Sequence, residues 1–320
     1  MSALINQLNI SNLHVSDLEA ILYGFLNSLS IKDKNGAELS PRQPSTQITY
    51  RFSKRSTDTL PFRAIEESLR HNGMAVVEGF LDEALTERAN MKIEAFLTKI
   101  RDDLKTETFV EKDKFLVQNG SYDDKPLKTY QDLASHHRPV VHVRNGLGAG
   151  LEDDKGMIDI FHVNRLNHFL EKTFSSLKDP FLLEAIGNGI NTPMSAYNLN
   201  AYINKDVTRT RGFHLDNVEP TAKAFVYLTD VNCLEDGPFC YALGSHADLR
   251  LRAINSMISK AYGLRPFDIT VLDRAKIVPV LAPKGSLIIS YQFGAHRGAA
   301  QSEGHSRTAI VQTYARKMAG

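Results

Sequence analysis

The spacing of apolar residues changes near residue 195 and divides the chain into two parts. In the C-terminal part, short apolar segments alternate with turn residues, which is typical of an antiparallel β-sandwich or barrel. The predicted strands are residues 195–203, 223–231, 237–246, 276–283, 286–292 and 307–316. Apolar residues at helical spacing interrupt this series and predict a helical insert at about residues 248–273. We therefore expect a mainly β fold with flanking helices.

The N-terminal part of the chain has a more mixed pattern. Helical spacing over residues 61–73 ends on Gly73, residues 74–80 predict a short strand, and residues 82–104 predict a long helix with an acidic start. Residues 105–165 are polar and rich in glycine, and they predict long loops around one or two short strands. Helices and loops are therefore expected ahead of the β-rich part.

These patterns suggest one main domain with an appended segment. Residues 1–59 are predicted to be an N-terminal extension of obscure role, because they include the polar, turn-prone stretch 31–47. Residues 60–320 are predicted to form a single domain. Its first part, residues 60–194, is expected to be helical and loop-rich, and residues 195–316 are expected to supply the barrel strands.

Composition narrows the possible partners. The chain has 320 residues, 42% hydrophobic and 23% charged, so it can bury a large core as a soluble globular protein. Its 38 basic and 37 acidic residues nearly cancel, so no global field favours nucleic acid or an anionic membrane. No apolar stretch of about 18 residues and no signal-peptide pattern occurs. We therefore predict a cytoplasmic protein.

The chain has two cysteines, Cys233 and Cys240, which lie seven residues apart without a Cys-x-x-Cys spacing. This arrangement fits a reducing compartment and argues against both a disulfide framework and a cysteine-zinc site. The sequence therefore predicts two buried, reduced thiols. No P-loop, nucleophile-elbow or HExxH sequence is present either, so nucleotide-binding, serine-hydrolase and zincin functions have no support.

A His-x-Asp sequence occurs twice, at His214-Leu-Asp216 and at His246-Ala-Asp248. Residues two apart in a strand project to the same face, so either pair can present an imidazole and a carboxylate to one metal ion. Composition alone makes such matches unremarkable. A further histidine, His296, follows an apolar strand 82 residues after His214. Two histidines and one carboxylate are typical of a non-haem Fe(II) centre that keeps three coordination positions open.

Arg307 opens the last predicted strand, eleven residues after His296. A guanidinium inside a barrel is costly to bury unless an anion pairs with it, and its fork suits a carboxylate. For an isolated arginine, a solvated strand end or a pairing with a protein carboxylate is the commoner outcome. The combination with the histidines and the aspartate favours a bound anion instead.

The order of these features resembles the phytanoyl-CoA dioxygenase-like family of Fe(II)/2-oxoglutarate-dependent oxygenases. HLDNVEPTAKAFVYLTDVNCLEDGPFCYALGSH is similar to the family's succession of His-x-Asp, strand, Gly-Pro, strand and Gly-Ser-His. PKGSLIISYQFGAHRGAAQSEGHSRTAIVQTYAR is similar to its strand, distal histidine and arginine, and HNGMAVVEGFLDEALTERANMKIEAF resembles its opening helix-strand-helix. The resemblance covers roughly residues 60–316. It implies a double-stranded β-helix, a jelly-roll or cupin-like core.

The resemblance also implies roles for individual residues. His214, Asp216 and His296 are the implied metal ligands. Arg307 is the implied partner of the distal carboxylate of 2-oxoglutarate. Fe(II), 2-oxoglutarate and O2 are thus the implied cofactor and co-substrates. In the family the Gly-Ser-His turn is structural, so the second His-x-Asp sequence, which starts in that turn, is implied to be a chance match.

Several further positions bear on the predicted pocket. Phe225 stands where many relatives carry tryptophan, and it either lines the pocket or is a core aromatic. Gly298 stands where many relatives carry a serine that helps to hold 2-oxoglutarate. Asn198, Asn200 and Tyr202 share one face of their strand and are the candidates to replace it.

The basic segment HHRPVVHVRNG at residues 136–146 is predicted to be a loop. Such a loop either closes over the active site and binds a polar or anionic substrate, or is simply solvated. His142 and Arg144 are its candidate substrate contacts. The nearby NGLGAG at 145–150 lacks the following helix of a dinucleotide-binding loop.

The function implied by the resemblance is hydroxylation of an unactivated C–H bond of a small molecule, with release of succinate and CO2. Amino acids, sugars and natural-product intermediates are the substrate classes it suggests. Halogenating relatives replace the ligating carboxylate, so the intact Asp216 favours hydroxylation or a related oxidation. Two alternatives stay open: a cupin-like metal-dependent isomerase or dioxygenase that does not use 2-oxoglutarate, and a non-catalytic metal- or ligand-binding barrel.

Overall fold

A computed structural model describes residues 23–24, 28–32, 36, 38, 49–54, 59–105, 109–120, 127, 129–144, 153–265 and 267–317. The helices with described bounds are α1 (Phe62–Asn72), α2 (Glu83–Lys99), α3 (Arg101–Lys105), α4 (Tyr130–Ser135), α5 (His168–Thr173), α6 (Pro180–Asn188) and α7 (Leu249–Tyr262). The strands are β1 (Arg51–Ser53), β2 (Met74–Glu78), β3 (Val110–Glu111), β4 (Leu116–Asn119), β5 (Val140–Val143), β6 (Ile158–Phe161), β7 (Met194–Lys205), β8 (Thr221–Tyr227), β9 (Phe239–Ala242), β10 (Ile277–Pro279), β11 (Leu287–Tyr291), β12 (His296–Gly298) and β13 (Ser306–Arg316).

The strands assemble into two sheets that pack against each other. The large sheet has the order β1-β2-β11-β8-β13-β7-β6-β5-β4-β3, and the small sheet has the order β10-β9-β12. From β7 onward the chain passes back and forth between them: β8, β11 and β13 lie in the large sheet, whereas β9, β10 and β12 lie in the small one. Pairs within this part are antiparallel. This arrangement is a double-stranded β-helix, so the predicted fold class is confirmed.

The two faces of the large sheet enter different cores, because successive side chains of a strand point to opposite faces. On β8, Ala224 and Val226 belong to the core that α1, α2 and α6 cover. Phe225 and Tyr227 point the other way, into the space between the sheets, where they join Phe239 of β9. Aromatic side chains from β8 and β9 therefore meet in the interior of the jelly-roll.

Residues 105–165 differ from the sequence prediction. They contain the four strands β3 to β6 and helix α4, rather than long loops around one or two short strands. These strands extend the large sheet beyond β7. Gln118, His142 and Asp159 lie side by side in neighbouring strands, and all three are buried. Polar residues at buried positions remove the alternation on which the strand prediction depends.

The other predicted elements agree with the structure. Helix α1, strand β2 and helix α2 follow one another as expected, and α7 is the predicted insert. Most of residues 1–59, and the segment 145–150, lie outside the described residues. Strand β1, within the predicted extension, pairs in parallel with β2. The boundary at residue 59 stays a prediction. None of the described helices is both long and apolar enough to cross a membrane.

Two helix-ending glycines allow a matched test of packing. Gly73 ends α1 with φ of 77°, and Gly263 ends α7 with φ of 65°. A β-carbon at Gly73 would lie 2.4 Å from Nδ1 of His246 and 2.5 Å from Oη of Tyr241, whereas one at Gly263 would meet nothing within 4 Å. An alanine in this left-handed conformation costs about 1–2 kcal/mol, so both variants carry that conformational cost. We expect Gly73→Ala to lose about 2 kcal/mol more, because of the steric overlap.

Urea denaturation of the two variants measures this difference in the free energy of unfolding. Equal decreases in the free energy of unfolding for Gly73→Ala and Gly263→Ala would contradict the prediction. They would show that the steric overlap at Gly73 does not affect stability.

Candidate metal centre

The three predicted ligands come from two segments that lie side by side. His296 belongs to β12, and the segment around His214 runs antiparallel to it. The His214 amide donates to the His296 carbonyl over 3.0 Å, and the His296 amide donates to the His214 carbonyl over 3.1 Å. The Asp216 amide donates to the carbonyl of Gln292 over 2.9 Å. Backbone hydrogen bonds thus bring the ligands together.

Both imidazoles have a fixed orientation. Nδ1 of His214 lies 2.8 Å from the carbonyl of Gly212, and Nδ1 of His296 lies 2.9 Å from the carbonyl of Gly294. Since a carbonyl only accepts, each Nδ1 carries a proton, and in the neutral ring the lone pair is therefore on Nε2. The Nε2 atoms lie 3.4 and 3.5 Å from Oδ1 of Asp216. Both rings therefore aim their metal-binding nitrogen at the same carboxylate oxygen.

This group fits a divalent metal ion. The three ligand atoms lie within 4.8 Å of one another. Imidazole nitrogen and carboxylate oxygen bind first-row metals at about 2.0–2.2 Å, so neighbouring ligands on one ion lie roughly 3.0–3.5 Å apart. The spacing is typical of the 2-His-1-carboxylate face that holds non-haem Fe(II). His214, Asp216 and His296 can therefore hold such an ion.

The charges of the site suit metal binding. Enclosure by the surrounding chain would raise the pKa of the Asp216 carboxyl, but Lys223 and His296 hold that pKa well below its usual range. Nζ of Lys223 donates to Oδ2 of Asp216 over 2.6 Å, which leaves Oδ1 for the metal. Burial lowers the pKa of His214. At neutral pH the site thus presents a carboxylate and a neutral imidazole.

Sequence reasoning missed Lys223. It lies on the same face of β8 as Phe225 and Tyr227, and its side chain is 13% exposed. Nζ lies 6.0 Å from the ring centre of Tyr130 and 5.8 Å from that of Tyr202, whose hydroxyls are 3.3 Å apart. The available signal was a lysine at an inward position of an otherwise apolar strand. Next to the metal ligands, these three side chains form a polar wall.

Arg307 is the buried cation of the jelly-roll interior, with 9% exposure. Its guanidinium donates to the carbonyl of Gly237 and lies against the hydroxyl of Tyr227. Among the described residues it forms no ion pair with a carboxylate within 4.0 Å. A buried guanidinium without a counter-ion is unfavourable. With respect to the described residues, the site therefore suits an anion.

A glycine lies directly next to this guanidinium. Gly298 lies two residues after His296 on β12, and so on the same face. A β-carbon at Gly298 would lie 3.3 Å from Nη2 of Arg307. The glycine therefore lets the guanidinium approach β12 closely, on the face that carries His296.

The ring of Phe225 packs against that of Phe239, which lies next to the ring of His296. Its ring centre lies 4.8 Å from that of Phe239, which lies 5.8 Å from that of His296. Phe225 is also a member of the core between the sheets. Its predicted role as a pocket residue stays a prediction.

Asn198 and Asn200 are buried on β7, at 3% and 0% exposure. Oδ1 of Asn200 accepts from the amide of His162 over 3.2 Å. Within the described part of the chain, Nδ2 of Asn200 and both side-chain polar atoms of Asn198 have no hydrogen-bond partner. Unsatisfied buried amides are costly and suit a polar ligand or water. Their predicted contact with 2-oxoglutarate stays a prediction.

The sequence pattern predicts that His142 and Arg144 lie on a loop. Instead, His142 lies within a strand and Arg144 directly follows it. His142 is buried in β5, and its Nε2 donates to the carbonyl of Gly120 over 3.1 Å. Arg144 follows β5 and pairs with Asp154 at 3.2 Å and with Asp159 at 2.7 Å. Both side chains are thus held by protein groups.

The second His-x-Asp sequence has other partners. Nε2 of His246 lies 3.2 Å from the carbonyl of Arg70. Asp248 begins α7, where its carboxylate accepts from the amide of Leu251 over 2.8 Å. The structure therefore does not bring this pair together with a third ligand among the described residues.

No family model and no curated protein matches the chain. Some solved structures resemble it. The epimerase SnoN, in complex with Fe3+, alpha-ketoglutarate and nogalamycin RO, is 16% identical over 81% of this chain and 85% of SnoN, with a TM-score of 0.46. AviO1 from Streptomyces viridochromogenes is 16% identical over 82% of this chain and 99% of AviO1, with a TM-score of 0.46.

HygX from Streptomyces hygroscopicus, with nickel, 2-oxoglutarate and hygromycin B bound, is also similar. It is 16% identical over 78% of this chain and 85% of HygX, with a TM-score of 0.42. Similarity at this level assigns no activity to the chain, whose chemistry has to be judged from its own residues. The resemblance to the phytanoyl-CoA dioxygenase-like family stays a prediction.

Proposed function

We propose that the protein is a non-haem Fe(II)- and 2-oxoglutarate-dependent dioxygenase that hydroxylates an unactivated C–H bond of a small molecule, releasing succinate and CO2. One observation carries this proposal. A face of two histidines and one carboxylate lies beside a buried guanidinium that has no carboxylate partner among the described residues. The first group suits Fe(II), and the second suits the carboxylate of a co-substrate.

The ligand set leaves one side of a bound metal open. When bound, Fe(II) and 2-oxoglutarate supply the chemistry that activates O2 and oxidises the substrate. The chain's own part is to hold the ligands in one orientation. The carbonyls of Gly212 and Gly294 fix the rings of His214 and His296, and Lys223 fixes Asp216.

Arg307 orients the co-substrate in this proposal. Its guanidinium binds the distal carboxylate of 2-oxoglutarate, on the strand face that it shares with Gly298 and His296. The rings of Phe225 and Phe239 line the interior next to His296 and exclude water from it. A dry pocket strengthens the pairing between guanidinium and carboxylate.

The polar wall of Lys223, Tyr130 and Tyr202 forms the substrate side of the proposed site. Phenol hydroxyls and an ammonium group bind hydroxyl, carboxylate or amide groups of a polar small molecule. This chemistry supports an amino acid, a sugar or another polar natural product as the substrate class. Arg144 holds Asp159, which lies opposite Tyr202 of this wall in the sheet, whereas His142 bonds to the carbonyl of Gly120.

Succinate formation tests the proposed function. Purified protein with Fe(II), ascorbate and 2-oxoglutarate in air is expected to form succinate, slowly without substrate and faster with it. Under anaerobic conditions, adding 2-oxoglutarate to the Fe(II) protein is expected to produce a visible absorption band. A chelated sample without iron serves as the control. Absence of both succinate and the band would contradict the proposal and favour the isomerase or the binding barrel.

A further inference from the structure

A second group of potential metal ligands lies in the loops that connect β8 to β9 and β12 to β13. Sγ of Cys233 lies 3.3 Å from Oδ2 of Asp236, and Nδ1 of His305 lies 2.8 Å from Oδ1 of Asp236. The three ligand atoms lie within 4.8 Å of one another. A thiol, an imidazole and a carboxylate thus share one small volume, and none of them is a ligand of the centre at His214.

A tight turn presents the first two of these ligands. Residues 234–236 form a single 3-10 turn directly after Cys233. The amides of Asn232 and Cys233 donate to Oδ2 of Asp236 over 2.8 and 3.1 Å. The carboxylate is therefore held toward the thiol by the backbone itself.

The loop that carries His305 is tied to the same turn. The amide of Ser302 donates to the carbonyl of Glu235 over 3.0 Å, and Nε2 of Gln301 donates to the carbonyl of Asp236 over 3.1 Å. The amide of His305 in turn donates to the carbonyl of Ser302 over 3.2 Å. The third ligand is thus placed by contacts that do not involve its own ring.

The spacing Cys233-Leu-Glu-Asp236 corresponds to a Cys-x-x-Cys zinc knuckle with a carboxylate in the second position. The absence of a Cys-x-x-Cys spacing does not exclude this arrangement, because its second ligand is a carboxylate. The two thiols also differ in the structure. Cys240 is buried as predicted, but Cys233 is only half-buried. The thiol in the group is therefore within reach of an ion from solvent.

We propose that Cys233, Asp236 and His305 form a second metal site, which takes a borderline divalent cation such as Zn2+ with water as the fourth ligand. Thiolate and imidazole together favour Zn2+ over hard cations. Ligand atoms around tetrahedral Zn2+ lie roughly 3.3–3.7 Å apart. The separations from the Asp236 carboxylate, 3.3 Å to Sγ of Cys233 and 2.8 Å to Nδ1 of His305, differ from this range by no more than about half an ångström, and the third separation lies within 4.8 Å.

Binding requires a change of protons but no redox step. The thiol of Cys233 loses its proton to solvent and becomes the thiolate ligand. The proton on Nδ1 of neutral His305 moves to Nε2, so that Nδ1 can bind the ion. Asp236 loses the hydrogen bonds that it accepts from Cys233 and His305, and its carboxylate binds the metal instead. A metal at this site then links the β8–β9 loop to the β12–β13 loop.

Cobalt(II) is a suitable probe, because a bound thiolate gives an intense near-ultraviolet charge-transfer band that histidine and carboxylate ligands do not give. Anaerobic titration of the full-length protein is expected to show this band, and Zn2+ is expected to remove it by displacement. Cys233→Ser should weaken binding at this site on the order of 100-fold and abolish the band. Cys240→Ser, which alters the other thiol, should leave the band unchanged.

Asp216→Ala separates this proposal from the proposed function. The variant is expected to keep the thiolate band while it loses the other metal centre. His305→Gln should weaken cobalt binding without affecting succinate formation at saturating Fe(II), and circular dichroism would confirm that each variant is folded. A wild-type protein that shows no thiolate band at millimolar Co(II), or a folded Cys233→Ser variant that keeps the band, would overturn the second site.

Discussion

Asp216→Ala is expected to abolish succinate formation and to lower Fe(II) affinity at least about 100-fold. Even the loss of a group that only hydrogen-bonds to a metal ligand lowers metal affinity about 10- to 100-fold. The substitution removes the carboxylate oxygen toward which both Nε2 atoms point. It also leaves Lys223 without the carboxylate that it contacts at 2.6 Å. The absorption band of the anaerobic complex with 2-oxoglutarate measures the loss, because it requires iron at this centre.

Asp248→Ala is the matched control, because it makes the same change in the other His-x-Asp sequence. Asp248 caps α7, so this variant should lose about 1 kcal/mol of stability. Its iron affinity and turnover should stay within twofold of wild type. If Asp216→Ala still formed the band, or if both variants lost it equally, the assignment of Asp216 as a ligand would be wrong.

Arg307→Ala is expected to raise the 2-oxoglutarate concentration needed for half-maximal turnover about 100-fold, which corresponds to about 2.7 kcal/mol. The physical reason is the loss of charge-assisted hydrogen bonds to a carboxylate in a buried site. Iron affinity in the absence of 2-oxoglutarate should change little, because Arg307 is not a metal ligand. Steady-state kinetics and anaerobic iron titration measure the two quantities separately.

Arg316→Ala provides the control on the same strand. Arg316 lies at the exposed end of β13, where the loss of a guanidinium should have no effect on either quantity. Arg307→Lys should fall between wild type and Arg307→Ala, because an ammonium keeps the charge but lacks the planar fork. Equal losses of iron and 2-oxoglutarate affinity in Arg307→Ala would show that the residue maintains the fold rather than binds the co-substrate.

The strands of the jelly-roll could be predicted from sequence where their inward positions are apolar. β8 contains the continuous apolar run of residues 224–227, which is typical of a short strand buried on both faces. β5 and β6 do not show it, because His142 and Asp159 occupy buried positions opposite each other. The pattern of apolar and polar residues alone cannot distinguish such strands from polar loops, because these polar residues become buried only when the two strands pair.

The grouping of His214, Asp216 and His296 could be predicted because a His-x-Asp sequence and a distal histidine follow a recognisable order of strands. Lys223 and Tyr130 could not be predicted, since their role depends on which residues they face across the interior. The same holds for Cys233, Asp236 and His305, which come from two loops that only the folded chain brings together. His296 could be identified at a distance only because the order of strands around it resembles a known family, and no such order marks the two loops.

The mutual backbone pairing of His214 and His296 has a consequence for folding. These residues are 82 positions apart, so their contact closes a long loop. Long-range contacts of this kind form late, because the entropy of loop closure opposes them until the rest of the sheet supports them. The nascent or partly folded chain therefore has no complete metal centre. A metal ion at this centre would then bind only the finished fold and would stabilise it by mass action, by about 2.7 kcal/mol at a free concentration 100 times Kd.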